Sequence, residues 1–260
     1  MQRARRLIAV LGVFAAFAAG ARAEEITALY RASWAGLPAG EIRLSLRDDP
    51  GAYRAEIAIR SDGLPRLMTG FRGSAVSTGR LAAGAPLAPT GYAATYDLRK
   101  HRDKRLSMRF VARGGMTVAE RGPDDTSKKP PLAEQFRRDV LDPLSALAAI
   151  REALRRGLRV FTVPVYDGAR RFDVIGRVLP QRRGDPLLHL ELSLAPLAGF
   201  KGESSEDGDP DTAPRPVALT ITDDDKLMPL AMSVSLYYLP LVVELSRWCG
   251  SGAPCGVTVR

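Results

Sequence analysis

Between residues 28 and 59 the side chains alternate in polarity with a period of two, three times over. Ala28, Tyr30, Ala32 and Trp34 share one face of a first run, Ile42, Leu44 and Leu46 one face of a second, and Tyr53, Ala55, Ile57 and Ile59 one face of a third. Arg31, Ser33, Glu41, Arg43, Ser45, Arg54, Glu56 and Arg60 take the opposite faces. A period of two belongs to the strand, whose successive side chains point to opposite sides. Three such runs joined by short connections predict an antiparallel meander with one dry face. In Leu37-Pro38-Ala39-Gly40, Pro presets φ and Gly lets the chain leave, which predicts a type I turn there.

The same pattern returns down the chain. Tyr92, Ala94, Tyr96 and Leu98 alternate with polar or small neighbours, as do Leu106, Met108, Phe110 and Ala112, with Met116 and Val118 continuing the sheet. Phe161, Val163 and Val165 face Phe172, Val174, Gly176 and Val178 across Asp167-Gly168, a strong hairpin signal. Leu188, Leu190, Leu192 and Leu194 form another dry face, and Val217, Leu219 and Ile221 meet Leu230, Met232, Val234 and Leu236 around an acidic tip at 223–226. The total is roughly eleven strands, at the turn spacing of a barrel or sandwich.

Two stretches break the strand period. Leu64, Leu67, Met68 and Phe71 recur at helical spacing and predict a short helix lying across the sheet with these four side chains inward. The second has every start and stop signal: Asp142 as N-cap, Pro143 at the first helical position, Leu144, Leu147, Ile150 and Leu154 on one face, basic Arg155 and Arg156, then Gly157. This helix is expected to pack on the sheet or plug an end of a barrel. Residues 121–131 and 201–216 have loop composition.

Residues 1–23 stand apart. Arg3, Arg5 and Arg6 precede an uncharged apolar run at 7–20, and Ala21-Arg22-Ala23 is a small-x-small cleavage site. That is the layout of a secretory signal peptide, cleaved after Ala23. The expected product is a single antiparallel β domain over residues 24–260, exported to the periplasm. Losing those four arginines lowers the net charge from +9 to +5. In that compartment a mildly basic surface meets anionic head groups and envelope polymers rather than nucleic acid. No stretch of the mature chain is long and apolar enough for a membrane-spanning helix. Cys249 and Cys255, separated by five residues that include Gly and Pro, read as a local disulfide.

Chemistry is hard to find. No Gly-x-Ser-x-Gly elbow occurs, and the two histidines, His101 among basic residues and His189 on the polar face of a strand, read as surface side chains. The run Asp207-Gly208-Asp209-Pro210-Asp211 suggests calcium, but the loop then lacks Gly at its sixth position and Glu at its twelfth. Glu41 and Glu56 face arginines rather than each other. No catalytic residue, metal ligand or cofactor site is expected, and an enzyme is not.

The motif Tyr30-x3-Trp34-x-Gly36-Leu37-x2-Gly40-Glu41, with Tyr53, Gly63-Leu64, Asp142-Pro143-Leu144-Ser145-Ala146 and Tyr166-Asp167-Gly168-x-Arg170-Arg171-x-Asp173, resembles a family of exported bacterial proteins known as domain of unknown function 3108. The resemblance runs over nearly all of the mature chain. It implies a periplasmic location and an antiparallel β fold, and it carries over no activity.

The reading is therefore a mainly β protein, an antiparallel barrel or strongly curved sheet with one or two short helices, in a non-enzymatic binding or envelope-maintenance role. An apolar or lipid-like ligand inside the curve would meet Tyr30, Trp34 and Tyr53. The alternative is a scaffold with a filled core that contacts an envelope protein or the cell wall through a basic rim of Arg99, Lys100, Arg102, Arg170 and Arg171.

Overall fold

The computed structural model describes residues 24–81, 86–99, 101–127, 130–200, 213–236 and 238–250. The signal segment, Lys100, the aspartates at 207–211 and Cys255 lie outside them, and with Cys255 the disulfide. Among the described residues, no helix is long and apolar enough to cross a membrane.

Thirteen strands form one antiparallel sheet. They are β1 (Glu24–Trp34), β2 (Leu37–Asp49), β3 (Ala52–Ser61), β4 (Arg72–Arg80), β5 (Ala88–Leu98), β6 (His101–Arg113), β7 (Met116–Arg121), β8 (Val160–Tyr166), β9 (Arg171–Val178), β10 (Leu187–Ala198), β11 (Arg215–Thr222), β12 (Pro229–Leu236) and β13 (Leu239–Gly250). Each pairs with its neighbours in sequence, and β13 returns to pair with β1, so the order runs from β7 back to β1 and on through β13 to β8. The eleven expected strands are thus thirteen. Most of the expected dry faces point inward: Ala28, Tyr30, Leu44, Leu46, Tyr53 and Ala55 are buried on one side of the barrel, with Ile26 beside them, and Val163, Val174, Leu190, Leu192, Leu219 and Ile221 on the other, whereas Ala112 and Met116, flanking the turn between β6 and β7, are exposed.

The first hairpin turns earlier than expected. Trp34 pairs with Leu37, and the two residues between them, Ala35 and Gly36, have φ of 50° and 80°. Two positive-φ residues make a turn whose twist matches that of the strands, which a type I turn at 37–40 would not. Pro38 is taken into β2 beside a register shift, where a missing N–H is tolerated.

The barrel is nearly closed, with one seam between β7 and β8. The chain itself fills it. After a short 3₁₀ turn (Glu134–Arg137), Arg138 bridges to Val118 of β7 and Leu141 to Val165 of β8. Asp139 N–H donates to Thr117 O at 2.7 Å, Leu141 N–H to Pro164 O at 2.8 Å, and Tyr166 N–H to Leu141 O at 2.9 Å. Backbone groups that two sheet edges would leave unpaired are thus satisfied by one strap.

Beyond the strap the chain turns into the barrel as α2 (Pro143–Arg155), capped by Asp142 as its sequence signals require. A barrel of about eight strands can be filled by its own side chains, whereas a wider one needs something else inside. Here α2 supplies it. Ala146, Ile150 and Ala153 pack against β8 to β11, and Leu144 against the core of β1 to β4 and β13. A third cluster of Met108, Ala119, Val140 and Tyr166 sits under the strap.

The other helix, α1 (Gly63–Thr69), departs from expectation. It has no buried residue, and Leu64, Leu67 and Met68 are exposed, with only Phe71 beyond it half-buried. Backbone bonds hold it at the rim: Asp62 N–H to Ala39 O at 2.8 Å before it, and Arg99 N–H to Thr69 O at 2.6 Å at its end. Anchored there, its apolar ridge faces solvent.

Candidate ligand cleft at the seam

The two ends of α2 are held by different chemistry. At its start, Asp142, Ser145 and Ser77 of β4 are all fully buried. Asp142 Oδ1 accepts from the N–H groups of Leu144 and Ser145, both at 3.0 Å, and Oδ2 from the hydroxyls of Ser77 (3.0 Å) and Ser145. With both serine protons given to the carboxylate, the 2.5 Å contact between Tyr53 Oη and Ser145 Oγ is a donation from tyrosine. Burial pushes the Asp142 carboxyl above the usual carboxylate range and the Tyr53 phenol up to about 12, which keeps Tyr53 a donor. Gly79 of β4 makes room for this ring, since a Cβ there would come within 2.5 Å of Tyr53 Oη and 2.6 Å of Ala88 O.

Toward its end α2 is held by charge. The Arg151 side chain, 4% exposed, lies 3.7 Å from Asp48 of β2 and donates to Lys226 O at 2.8 Å. Arg155 lies 3.6 Å from the same carboxylate. Among the alanines of this helix, Ala149 and Ala153 stand one turn apart on the face toward the seam. The space they leave is not filled. A cleft of about 490 Å³ opens there, at the end of the barrel away from α1, and it is walled by α2, the strap, the start of β8 and the segment leading into β5. Leu87, Pro89, Val140, Leu141, Phe161 and Val163 line it, with Asp139, Glu152 and Arg156 as its charged groups and Thr117 and Thr162 as its hydroxyls. Leu158 lines it too and is 43% exposed.

The residues named from sequence lie elsewhere. Tyr30 is buried, and its hydroxyl donates to Pro229 O at 3.0 Å. Tyr53 is in the lock on α2. Both rings meet protein on the inner face, and Trp34 is half-buried at the first hairpin. Burial raises the Tyr30 and Tyr92 phenols as well, so they stay neutral. The basic rim is assembled in part. Arg99 and Arg102 flank α1, whereas Arg170 is paired with Asp167 at 2.9 Å and Arg171 with Asp173 at 2.7 Å.

His189 stands on the outer face, with Nε2 3.2 Å from Asp185 and Nδ1 3.3 Å from Thr220, its direct cross-strand partner. The contacts are those of a strand pair and an adjacent turn. Among the described residues, no three His, Cys, Asp or Glu side chains converge as metal ligands do.

The cleft was not read from sequence. Its only local signal is the Ala149/Ala153 pair, small residues four apart in a helix that also carries Ser145, Ala146 and Ala148 and so does not mark them out.

Comparison with known proteins bears on the fold. Residues 29–183 match the family described as "Protein of unknown function (DUF3108)". That span contains all the motif residues from Tyr30 to Asp173 and stops short of β10, so it is narrower than the resemblance suggested. No curated protein matches. Among solved structures, a beta-barrel-like protein of domain of unknown function DUF1849 from Brucella abortus aligns with a TM-score of 0.54 at 11% identity, covering 86% of this chain and 96% of that one. The likeness is one of fold.

Proposed function

The chain belongs to the DUF3108 family, and from that premise we propose that it is an exported, periplasmic, non-enzymatic binding protein that holds an apolar, acyl-like ligand in the seam cleft. The observation that carries this reading is the cleft itself. About 490 Å³ of space, walled mainly by apolar side chains with five polar ones, has the size and lining of a small-molecule site. Its walls are rigid for a physical reason, since α2 is fixed at both ends and the strap is hydrogen-bonded to both sheet edges. Glu152 and Arg156 would face the polar end of a ligand whose chain lies over Ala149 and Ala153.

The fold gives the site its place. Leu141, Val140 and α2 follow one another in sequence, so the element that closes the barrel also builds the cleft wall. The inner face at Tyr30 and Tyr53, by contrast, is occupied by the protein's own side chains, and a ligand there would have to displace buried hydrogen bonds.

Native mass spectrometry of the protein purified from periplasm without detergent tests the reading. The expected result is an adduct of lipid-like mass that is absent from the Ala149→Trp variant. A wild-type protein free of adduct that also takes up no added fatty acid would refute it.

A further inference from the structure

The α1 end of the barrel carries a second feature, independent of the cleft. Leu37, Leu64, Leu67, Met68, Tyr238 and Leu239 are all exposed, and all belong to connections at this one end: the turn after β1, α1, and the turn between β12 and β13. Leu67 and Met68 are 69% and 66% exposed. These connections are neighbours, because β13, β1 and β2 are adjacent strands and α1 packs on β2. The apolar side chains therefore stand together as one projecting end.

Arginines surround it. Arg66, Arg72, Arg99 and Arg102 gather beside Leu67 and Phe71, and among the described residues none of them has an ion-pair partner. The nearby acids are engaged elsewhere: Asp62 accepts from Gly63 N–H and Asp97 from Asp103 N–H, at 2.9 Å and 2.8 Å, while the Asp103 carboxylate lies 3.6 Å from Arg105 and Glu41 3.0 Å from Arg60. Arg72 also sits directly across from Arg60 in the β3/β4 ladder, and since Glu41 pairs with Arg60 at 3.0 Å, Arg72 is the one left without a carboxylate.

We infer that this end docks on an anionic lipid surface, with the leucines and Met68 entering the interface and the arginines meeting head-group phosphates. Leu and Met projecting from short turns reach into the boundary between head groups and acyl chains, and arginines beside them keep their guanidinium groups at phosphate level. Each basic group near such a surface adds to binding, and none of the six apolar side chains would have to leave a core. The geometry turns the seam cleft away from the membrane, toward the aqueous side.

Flotation with vesicles tests this on the mature protein. Binding is expected to vesicles containing phosphatidylglycerol, to fall at least tenfold on pure phosphatidylcholine, and to weaken as salt is raised. The double variant Leu67→Glu, Met68→Glu alters only exposed positions and is expected to keep the wild-type melting temperature while losing at least tenfold in vesicle binding. Arg99→Glu with Arg102→Glu is expected to remove the preference for anionic lipid. A wild-type protein that stays with the aqueous fraction, or apolar and basic variants that float as well as wild type, would overturn the proposal, and capture of a protein partner through this end in place of vesicles would do the same. Because both variants leave the cleft intact, ligand binding there can fail or succeed separately.

Discussion

The two halves of α2 solve opposite problems with the same helix. Its first turn sits where the barrel is driest and is surrounded by hydroxyls and a carboxylate, every one with a partner. Its later turns sit beside the seam, where Ala149 and the edge of the buried Ala153 border the cleft. A buried polar cluster is stable only when fully satisfied, so the first half is rigid by necessity. An apolar wall with nothing against it forgoes the dispersion contacts that packing would give. The difference teaches that the helix start is built for position and the remainder for occupancy.

The contrast can be broken most strongly at Asp142. Asp142→Ala removes an N-cap, worth about 1 kcal/mol, and strands the hydroxyls of Ser77 and Ser145 at about 1–3 kcal/mol. A loss of about 3 kcal/mol is expected, read as a fall of roughly 10 °C in melting temperature. A change below about 1 kcal/mol would show that the lock does not hold the helix.

Asp48→Ala attacks the other anchor. Breaking a buried pair costs about 3–5 kcal/mol, but Asp48 is 25% exposed, so about 1–2 kcal/mol is the expected loss in denaturant unfolding. Here the cleft should suffer more than the fold, because the helix half carrying Glu152 and Arg156 loses its tether.

Tyr53→Phe keeps the ring and deletes one donor. The expected loss is about 1 kcal/mol, with ligand binding unchanged. A fall in affinity equal to that of a cleft variant would mean that the two halves are coupled.

Asp142→Asn is the mildest test and the most specific. Asn still accepts from the Leu144 and Ser145 N–H groups, so the cap survives. Burial raises the wild-type carboxyl, so its folded pKa lies above its unfolded value of about 3.9. Such a group favours the folded state fully at pH below the unfolded value, and that advantage is lost as pH rises through the folded one. The stability of Asp142→Asn relative to wild type should therefore improve from pH 4 upward, measured as midpoint denaturant concentration, and a flat difference would show that the carboxyl does not titrate abnormally.

How much of this was legible in the sequence follows from the range of each interaction. Strand faces and the caps of α2 depend on residues within a few positions, and Tyr30, Leu44, Tyr53 and Asp142 fall where period and capping put them. The closure of β1 on β13 joins residues such as Ala28 and Trp248, and no local pattern encodes that pairing. The strap at 138–141 is short, with no repeat to mark it. Tyr53 could be seen to point inward, but whether it met a ligand or a helix depended on what entered the barrel. For α1 the spacing of Leu64, Leu67 and Met68 was correct while the inferred direction was not, because periodicity defines a face without saying which way it turns.

The most direct test of the cleft is to map where an acyl chain binds. A photoreactive fatty-acid probe, crosslinked to the folded protein in solution and located by peptide mass spectrometry, should label peptides from residues 139–164. Labelling there should fall at least tenfold in Ala149→Trp at unchanged melting temperature. Labelling confined to β1 to β3 around Tyr30, Trp34 and Tyr53, and insensitive to Ala149→Trp, would contradict the account and return the ligand to the inner face.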